Sequence, residues 1–340
     1  MERKKILIYL YAAIGDTITA LPVVRAILQK HKEDDVKVIV THYNPGIYQL
    51  SIIEDLPERP QVEFVKMNAL RSFKVLFERI SLCLRFRSEQ YNTGYVIMLY
   101  NTPRRKRFVF RHIIGIKKLF CTEFFRNFDN ILHKSLIKQY RKIGFDFADD
   151  DRNLKYPFSR EHLQNAEKFF VDLALPQGKI PIALGVSAIT ANNFSWPLER
   201  YLELLIKVVP EYNLFPLFFG APHEKGKIMP LINAVGGRFI SEYKATDAMA
   251  IMKHCRFYLG NDTGTMHMAD SAGIPCITLF ANRGYDYAWH PEGDYHINII
   301  HRQHCGECCN TVCPYGIPAK CIDEISVAEV AAAVDKIMTD

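Results

Sequence analysis

The sequence lacks the features that would assign it at once to a membrane-spanning, nicotinamide-dependent or metal-dependent class. No segment reaches the roughly 20 consecutive apolar residues that a membrane-spanning helix needs. The turn at Gly15 has a single glycine instead of the Gly-x-Gly-x-x-Gly fingerprint, which disfavours a nicotinamide site there. No residues have the ligand spacing of a catalytic metal centre, and short repeats and low-complexity segments are absent. We therefore expect a globular protein without a transmembrane segment or a catalytic metal.

The apolar run near the N-terminus is better explained as a strand than as a secretory signal. Lys4 and Lys5 precede the apolar residues 6–14, as at the start of a signal peptide. The run ends at Gly15, and residues 18–28 continue with helical spacing, which is typical of a strand, a turn and a helix. We expect a cytoplasmic protein with its cysteines reduced.

Length and periodicity predict two doubly wound domains. A chain of 340 residues exceeds one ordinary core, and both halves alternate β-branched runs with helical spacing. We expect an α/β fold of two Rossmann-like domains that face a central cleft. The predicted divisions are residues 1–155, residues 156–325 with a Cys-rich loop at 305–321, and a C-terminal helix within 326–340.

The most informative stretch joins a strand end, a turn and a helix start. Residues 255–259 have the composition of a buried strand, and 266–272 have the spacing of a helix that packs on a sheet. The turn between them directs free N–H groups and the positive end of a helix dipole beyond the sheet, as at anion sites. An Asx turn with an ordinary N-cap is the alternative. The candidate ligand-binding residues are Asp262, Thr263, Gly264, Thr265 and His267.

Two more turns follow predicted strands in the same half. The first has Ser187 and Thr190, whose hydroxyl and N–H groups suit a phosphate. The second ends at Glu224, which either holds the two hydroxyls of a ribose or is simply a solvated side chain. Because the carboxyl ends of parallel strands share one edge of a sheet, the three turns predict a nucleotide diphosphate site.

One acid is prominent in the N-terminal half. Asp16 directly follows the first predicted strand, where such sheets bind ligands. A carboxylate at this position can act as a general base on an incoming hydroxyl group. As the N-cap of the following helix, it would instead only satisfy N–H groups of that helix. Both roles are open from position alone.

A cationic segment lies in the same half. Residues 101–122 contain seven lysines and arginines and no acid, and a helix is predicted from 103 to 114. The expected partners are phosphates, acidic sugars or an anionic membrane surface, and we expect no nucleic acid. A solvated helix face is the alternative, although i,i+4 pairing explains an acid-free segment poorly. The candidate anion-binding residues are Arg104, Arg105, Arg107 and Arg111.

Five of the nine cysteines lie between Cys305 and Cys321. Together, Cys305, Cys308, Cys313 and Cys321 could supply four thiolates to a structural zinc or iron ion. The same residues could instead form a reduced turn that packs under the last helix. The spacing is compatible with both explanations.

Several stretches along the chain match the signature of one family. The strongest is Asp262-Thr263-Gly264-x-x-His267-x-Ala269-x-x-Ala272-Gly273-x-Pro275. The others are Ile14-Gly15-Asp16 with Leu21-Pro22, the basic segment with Gly115-Ile116, Trp196-Pro197, Cys305-x-x-Cys308 with Cys313-Pro314, and Cys321 with Ile325. Over nearly its whole length, the chain resembles glycosyltransferase family nine, the ADP-heptose:lipopolysaccharide heptosyltransferases.

The resemblance implies a GT-B fold and an inverting transfer of heptose from ADP-heptose without a catalytic metal. Asp16 would take the proton from the acceptor hydroxyl. The N–H groups of residues 263–265, with the hydroxyls of Ser187 and Thr190, would stabilise the charge on the departing ADP. The other expected roles are ribose binding by Glu224 and contact with the heptose or its pyrophosphate surroundings by Asp262. His267 would orient the turn or donate to a phosphate oxygen.

The resemblance also implies an acceptor. The basic segment would bind an anionic lipid-linked glycan, such as the Kdo or heptose region of a lipopolysaccharide core, at the inner face of the cytoplasmic membrane. A protein or another glycan is the alternative acceptor, and a sugar-nucleotide-binding protein or epimerase is the alternative class.

The chain departs from the family in one place. The family usually has Lys or Arg shortly before Trp196, where this sequence has Asn192-Asn193-Phe194-Ser195. Either Arg283, Lys225 or another cation neutralises the diphosphate, or the donor is bound differently.

Overall fold

The computed structural model divides the chain into two compact units, Met1–Leu154 and Lys155–Asp340. The sequence had placed this boundary between residues 155 and 156. The structure describes residues 3–42, 47–66, 73–99, 102–123, 132–147, 154–186, 194–282, 286–291, 293–301, 313 and 318–339.

The N-terminal unit is built on one parallel sheet of five strands. The strands are β1 (Lys5–Tyr11), β2 (Asp35–His42), β3 (Gln61–Lys66), β4 (Thr93–Met98) and β5 (Lys118–Cys121). Their order across the sheet is β3-β2-β1-β4-β5. The helices are α1 (Ile14–Lys30), α2 (Ile47–Glu54), α3 (Phe73–Ser88), α4 (Arg104–Phe108) and α5 (Leu132–Lys142). A π-helical turn, Val109–Ile113, continues directly from α4.

The C-terminal unit repeats this plan with a parallel sheet of six strands. The strands are β6 (Ile180–Gly185), β7 (Leu214–Phe219), β8 (Arg238–Ile240), β9 (Tyr258–Asn261), β10 (Cys276–Phe280) and β11 (Ile297–Ile300). Their order is β11-β10-β9-β6-β7-β8. The helices are α6 (Arg160–Leu173), α7 (Leu198–Glu211), α8 (Lys225–Val235), α9 (Ala245–Met252), α10 (Gly264–Ala272), α11 (Lys320–Asp323) and α12 (Val327–Thr339).

The central strands of both sheets are buried on both faces. In β1, all residues from Ile6 to Leu10 are buried, and every residue of β4, β9 and β10 is buried as well. Continuous apolar runs of this kind are typical of parallel sheets whose faces are covered by helices. The edge strand β3 is half-buried instead and carries charged residues. The α/β class and the two Rossmann-like units predicted from the sequence are confirmed.

Both sheets contain a point at which the strand order reverses. The chain runs from β1 outward through β2 to β3 and then returns to β4 on the other side of β1. In the second sheet it runs from β6 through β7 to β8 and returns to β9 on the other side of β6. Open α/β sheets bind ligands at the carboxyl ends of the strands beside such a point. These ends are therefore where functional groups are expected.

Two predicted boundaries differ in the structure. The strand expected at 255–259 begins only at Tyr258, because the N–H group of Cys255 still bonds to the carbonyl of Met252 after α9, at 2.8 Å. The single basic helix expected at 103–114 is α4 followed by the π-helical turn. None of the helices in the described part of the chain is long and apolar enough to cross a membrane.

Candidate functional site

The turns selected in the C-terminal half follow three neighbouring strands. In the sheet, β6 lies between β9 and β7, so the turns after these strands share one edge. In the pairing of β6 with β9, Gly185 lies opposite Gly260. The turn after β9 and the turn after β7 are both described, whereas Ser187 and Thr190, after β6, lie outside the described residues. This edge is also the reversal point of the sheet.

The turn after β9 opens α10 with unused donors. The carbonyl of Thr263 accepts the first hydrogen bond of the helix, from the N–H group of Met266 at 3.0 Å. The N–H groups of Gly264 and Thr265 precede this donor, so they lie at the positive end of the helix dipole, outside the hydrogen-bonding pattern of the helix. Asp262 is exposed beside them. A helix start of this kind can bind an anion.

A chain of hydrogen-bonded hydroxyl groups joins this turn to Tyr258 of β9. The hydroxyl oxygens of Thr263 and Thr265 are 2.7 Å apart, and the hydroxyl of Tyr258 lies 3.1 Å from that of Thr265. The Tyr258 hydroxyl also donates to the carbonyl of Asn261 at 3.3 Å. Thr263 is the N-cap residue of α10, and its side chain makes no cap hydrogen bond there. Burial raises the pKa of the Tyr258 phenol, which keeps it a neutral hydroxyl.

Asn261 links the turn to two other segments. Its amide oxygen accepts from the N–H group of Trp196 at 3.0 Å and from the hydroxyl of Tyr201 at 3.2 Å. Its amide nitrogen donates to the carbonyl of Val186, just after β6, at 3.0 Å. Asn261 is only 1% exposed, so these bonds are shielded from water. Asn261 therefore fixes the exit of β6 relative to the exit of β9.

Glu224 is a buried residue and not the solvated side chain that was the alternative. It ends a short 3-10 helix, Pro222–Glu224, after β7, and is 6% exposed. Its Oε2 atom accepts a hydrogen bond from the N–H group of Ala221 at 2.7 Å. A Cβ atom on Gly220 would lie 2.9 Å from the same oxygen, so the glycine makes room for the carboxylate. A buried carboxylate needs such partners, because an isolated buried charge is costly.

His267 is buried in the first turn of α10. It is 5% exposed, and its ring makes a T-shaped contact with that of Trp289, with 5.7 Å between the ring centroids. These contacts fix the position of the helix start. The basic residue Lys225 follows Glu224 and is exposed, whereas Arg283 lies outside the described residues.

In the N-terminal unit, Asp16 lies at the reversal point of the first sheet. It is the third residue of α1, which begins just after β1, and its Oδ2 atom accepts a hydrogen bond from the N–H group of Ala13 at 2.8 Å. The carboxylate is half-buried. Asp16 is therefore not the N-cap that was the alternative, because Ala13 holds that position and the Asp16 carboxylate accepts from the N–H group of Ala13 instead. The same bond orients the carboxylate at the carboxyl end of β1.

The four basic residues selected from the sequence divide into two groups. The side chains of Arg104, Arg105 and Arg111 are exposed. Arg107 turns inward, where its Nε atom donates to the carbonyl of Thr102 at 3.2 Å and its Nη2 atom to that of Thr122 at 3.5 Å. Arg107 is thus largely engaged in holding the backbone.

Sequence reasoning missed a fifth cation, Lys106. Its ammonium group lies over the ring of Tyr11, 4.5 Å from the centroid, and 3.7 Å from the sulfur of Met98. Burial, together with the positive charge of Arg79, lowers the pKa of Lys106. Lys106 therefore lies at the carboxyl ends of β1 and β4. Asp16 lies at the same edge of the sheet, because α1 begins just after β1. No signal in a run of consecutive cations distinguishes those that turn inward, Lys106 and Arg107, from those that are exposed.

A cavity of about 540 Å³ opens beside the edge strand β5. Its cationic lining residues are Arg107, Arg111 and Lys142. Cys121 also lines it, and burial raises the pKa of this thiol to about 11, so the thiol stays neutral. The cavity has a mixed lining of apolar and cationic side chains, and it is large enough for a sugar-sized anionic group.

The cysteine cluster is only partly described. Cys305 and Cys308 lie outside the described residues. Cys321 is 7% exposed, and its sulfur accepts a hydrogen bond from the N–H group of Asn282 at 3.3 Å. Cys313 packs against the core of the C-terminal unit. In the described part of the chain, no group of three or more His, Cys, Asp and Glu side chains is placed to hold a metal ion.

Comparison with known proteins identifies the family. The profile of glycosyltransferase family 9 (heptosyltransferase) matches residues 131–317, which is more than half of the chain. The chain therefore belongs to glycosyltransferase family 9, and it is a glycosyltransferase. No curated protein matches the sequence.

Solved structures share the fold over the whole length. A family 9 glycosyltransferase from Veillonella parvula aligns with a TM-score of 0.75 at 16% identity, covering 100% of this chain and 98% of the other. The ADP-heptose LPS heptosyltransferase II of E. coli aligns with a TM-score of 0.71 at 14% identity, covering 98% of each chain. The iron-containing heptosyltransferase TibC of enterotoxigenic E. coli, solved with ADP-D-beta-D-heptose, aligns with a TM-score of 0.56 at 12% identity, covering 99% of this chain and 76% of the other. The fold is that of GT-B glycosyltransferases, as the resemblance implied.

Proposed function

We propose that the protein is an inverting heptosyltransferase that transfers heptose from ADP-heptose to an anionic, lipid-linked glycan acceptor of the lipopolysaccharide core. The observation that carries this proposal is the edge formed by β9, β6 and β7. There, the unused N–H groups at the start of α10 share one side of the sheet with the buried carboxylate of Glu224. An anion-binding helix start and a carboxylate on adjacent strand ends suit the diphosphate and the ribose of a nucleotide sugar.

In this proposal the turn after β9 binds the diphosphate. The N–H groups of Gly264 and Thr265 donate to its phosphate oxygens, with that of Thr263 beside them. Ser187 and Thr190 contribute hydroxyl donors from the turn after β6. His267 keeps the helix start in place, and Asp262 contacts the heptose or the sugar side of the pyrophosphate. Glu224 accepts hydrogen bonds from the ribose hydroxyls.

The transfer is a single displacement. The acceptor hydroxyl attacks the anomeric carbon, its proton passes to the carboxylate of Asp16, and the bond from the anomeric carbon to the phosphate oxygen breaks. The electron pair of that bond leaves with ADP, and the N–H groups around residues 263–265 stabilise the added negative charge. Because these donors are fixed by the helix and by the hydroxyl chain under the turn, they need little reorganisation during the reaction.

The acceptor is anionic, and exposed cations of the N-terminal unit recognise it. Arg104, Arg105 and Arg111 are the residues that bind the acidic sugar or phosphate groups, and Arg107 holds the segment in shape. Kdo and heptose residues of a lipopolysaccharide core are the proposed acceptors. A protein acceptor and a different glycan are the alternatives within this reaction class. The protein would then act from the cytoplasm, at the inner face of the membrane.

A panel of donors and acceptors tests the proposal. Purified protein is incubated with ADP-heptose, UDP-sugars and GDP-sugars, each with a Kdo-terminated, a heptose-terminated and a peptide acceptor, and product masses are recorded. We expect a mass increase of one heptose only with ADP-heptose and a glycan acceptor. Binding of ADP-heptose without transfer to any acceptor would favour the alternative, a sugar-nucleotide-binding protein.

A structural metal in the cysteine cluster remains part of the proposal. TibC, which shares the fold, is an iron-containing heptosyltransferase. The N–H group that donates to the sulfur of Cys321 is compatible with a metal-bound thiolate, since thiolates accept such bonds. Elemental analysis of the wild-type protein and of a variant with Cys305→Ser and Cys308→Ser tests it. Less than stoichiometric zinc and iron in the wild type would favour the reduced turn.

A further inference from the structure

The outer face of α3 is apolar. Phe77, Ile80 and Leu84 are spaced by three and four residues, so they form one stripe along the helix. Their side chains are 74%, 48% and 59% exposed, respectively, whereas Phe86 on the opposite face is 2% exposed and belongs to the core. The core of the unit therefore explains only the inner face of α3.

A second exposed apolar group lies on the element next to α3. Phe108, at the end of α4, is 58% exposed, and Ile113, in the π-helical turn, is 40% exposed. The Nη1 atom of Arg87, in α3, donates to the carbonyl of Ile113 at 2.9 Å, so α3 and this turn are in contact. We call the five residues Phe77, Ile80, Leu84, Phe108 and Ile113 the docking face. In the described part of the chain they are five of the nine large hydrophobic residues that are exposed, and all five belong to α3 or to the α4 and π-helical segment in contact with it.

Cations surround the docking face. On α3 the exposed cations are Arg79, Arg85 and Arg87, and Glu78 is the one acid of the helix. On the neighbouring segment they are Arg104, Arg105 and Arg111, in a stretch without any acid. Part of this charge is compensated, because Arg85 forms an ion pair with Glu63. An excess of positive charge around exposed apolar side chains remains.

We infer that the docking face binds the surface of a lipid bilayer that contains anionic lipids. A helix with large apolar side chains on one side and arginines beside them lies in the plane of the interface, where the apolar groups enter the acyl region and the cations meet the headgroups. The inference rests on the proposed function only for its purpose, which is the encounter with a lipid-linked acceptor. The surface itself is independent of which sugar is transferred.

The charges also argue against a second copy of this chain as the occupant. In a two-fold symmetric dimer the docking face would meet itself, so the same arginines would face one another across the contact. Like charges placed opposite each other disfavour such a contact. A bilayer with anionic headgroups matches both the apolar and the cationic part of the surface.

Vesicle binding of the full-length protein tests the inference. Wild-type protein is sedimented with vesicles of phosphatidylcholine alone and with vesicles that also contain phosphatidylglycerol. We expect binding to the second kind only, and weaker binding at high ionic strength. The double substitution Phe77→Ser and Leu84→Ser should weaken binding at least about tenfold. The matched control, Val171→Ser and Ile206→Ser, removes two similarly exposed apolar side chains of the C-terminal unit and should change binding by less than about twofold.

The possible outcomes distinguish a lipid bilayer from a second copy of the chain as the partner of the docking face. Absence of binding to anionic vesicles by the wild type, or equal binding by the two double variants, would overturn the inference. A concentration-dependent dimer that the Phe77→Ser and Leu84→Ser variant loses, without vesicle binding, would identify a second copy instead. Melting temperatures of both variants show that they are folded. The Asp16→Asn variant should bind vesicles as the wild type does, so loss of transfer and loss of docking are distinguishable.

Discussion

Gly185 and Gly260 lie opposite each other at the carboxyl ends of β6 and β9, and neither position has room for a side chain. A Cβ atom on either residue would come within 3.0 Å of the Tyr258 hydroxyl, and one on Gly260 would also meet the carbonyl of Gly185. The two glycines therefore let Tyr258 place its hydroxyl under the turn that starts α10. The shape of the proposed diphosphate site therefore depends on the close packing of β6 against β9 at these two glycines.

Gly260→Ala tests this connection. Because the added methyl group meets backbone as well as the Tyr258 ring, β9 has to move, and we expect a loss of about 2 kcal/mol in the free energy of unfolding. Affinity for ADP, measured by calorimetry, should fall together with the melting temperature. The control is Gly226→Ala, since this glycine lies inside α8 with no atom within 4 Å of the new Cβ. That change should leave ADP affinity unaltered and raise stability slightly.

The general-base proposal predicts a specific defect in Asp16→Asn. The amide oxygen of asparagine can still accept the hydrogen bond from Ala13, so the start of α1 is retained. The asparagine cannot take a proton, and we expect turnover to fall by about 10²- to 10⁴-fold with little change in ADP affinity. Single-turnover assays with saturating donor measure the effect. A variant that turns over as fast as the wild type would restrict Asp16 to its hydrogen bond with Ala13.

The fold was largely predictable because its signals are local. Buried runs such as Ile6 to Leu10 identify parallel strands, and the turn before α10 combines a strand end with a helix start in one short stretch. The less regular elements were not assigned, among them β3, whose half-buried edge position mixes charged and apolar residues. For α3 the helical spacing is present, but no sequence pattern tells which of its faces meets the core.

The sequence predicted the turns of the candidate site but not the tertiary contacts that hold these turns in place. The sequence identified the turns that contain Asp16, Glu224 and residues 262–267, because each follows a strand. It did not reveal that Asn261 ties three segments together, since its partners Trp196 and Val186 are distant in the chain. Burial of Glu224 likewise depends on how neighbouring strands pack. Such contacts belong to the tertiary structure and leave no local signature.

Arg111 is exposed whereas Arg107 bonds to the backbone, so replacing each of them by alanine should have different effects. Arg111→Ala should raise the KM for an anionic acceptor about tenfold without a change in melting temperature, because the side chain is exposed. Arg107→Ala should lower the melting temperature, because it leaves the carbonyls of Thr102 and Thr122 without these donors. Differential scanning fluorimetry and acceptor titrations distinguish the two effects. Equal thermal effects of both substitutions would contradict the assignment.

Alkaline pH should destabilise the N-terminal unit. Burial raises the pKa of Tyr95 to about 12 and that of Cys121 to about 11. In the unfolded chain these groups lose their protons near their ordinary pKa values of about 10 and 8.5. Above these values the native state holds more protons than the unfolded state, so stability falls as the pH rises through the folded-state values.

Melting temperatures between pH 8 and pH 11 measure this decline. This range includes the ordinary pKa values of the two groups, about 8.5 and about 10. Tyr95→Phe removes one of the ionising groups, so the slope of melting temperature against pH should be smaller than in the wild type. The absolute melting temperature of the variant can also fall, because the Tyr95 hydroxyl lies 3.0 Å from Nε2 of His31. The slope is therefore the informative quantity, and an unchanged slope would rule out a contribution from Tyr95.

Glu224 has a structural bond and a proposed ligand, and paired substitutions separate them. Glu224→Gln keeps an oxygen that can accept from the N–H group of Ala221, so the melting temperature should stay close to that of the wild type. Ribose hydroxyls would lose a charged acceptor, and we expect about tenfold weaker ADP binding. Glu224→Ala should lower both affinity and stability. The control is Glu203→Gln, an exposed residue of α7.

A ligand without ribose hydroxyls completes the test of Glu224. The wild type should bind 2′,3′-dideoxy-ADP more weakly than ADP, whereas the Glu224→Gln variant should bind the two with nearly equal affinity, because the acceptor of those hydroxyls has been weakened. The coupling energy between the substitution and the missing hydroxyls is obtained from the four affinities. A coupling near zero would mean that the carboxylate serves only the N–H group of Ala221, and the ribose would then have to be recognised elsewhere on the β9-β6-β7 edge.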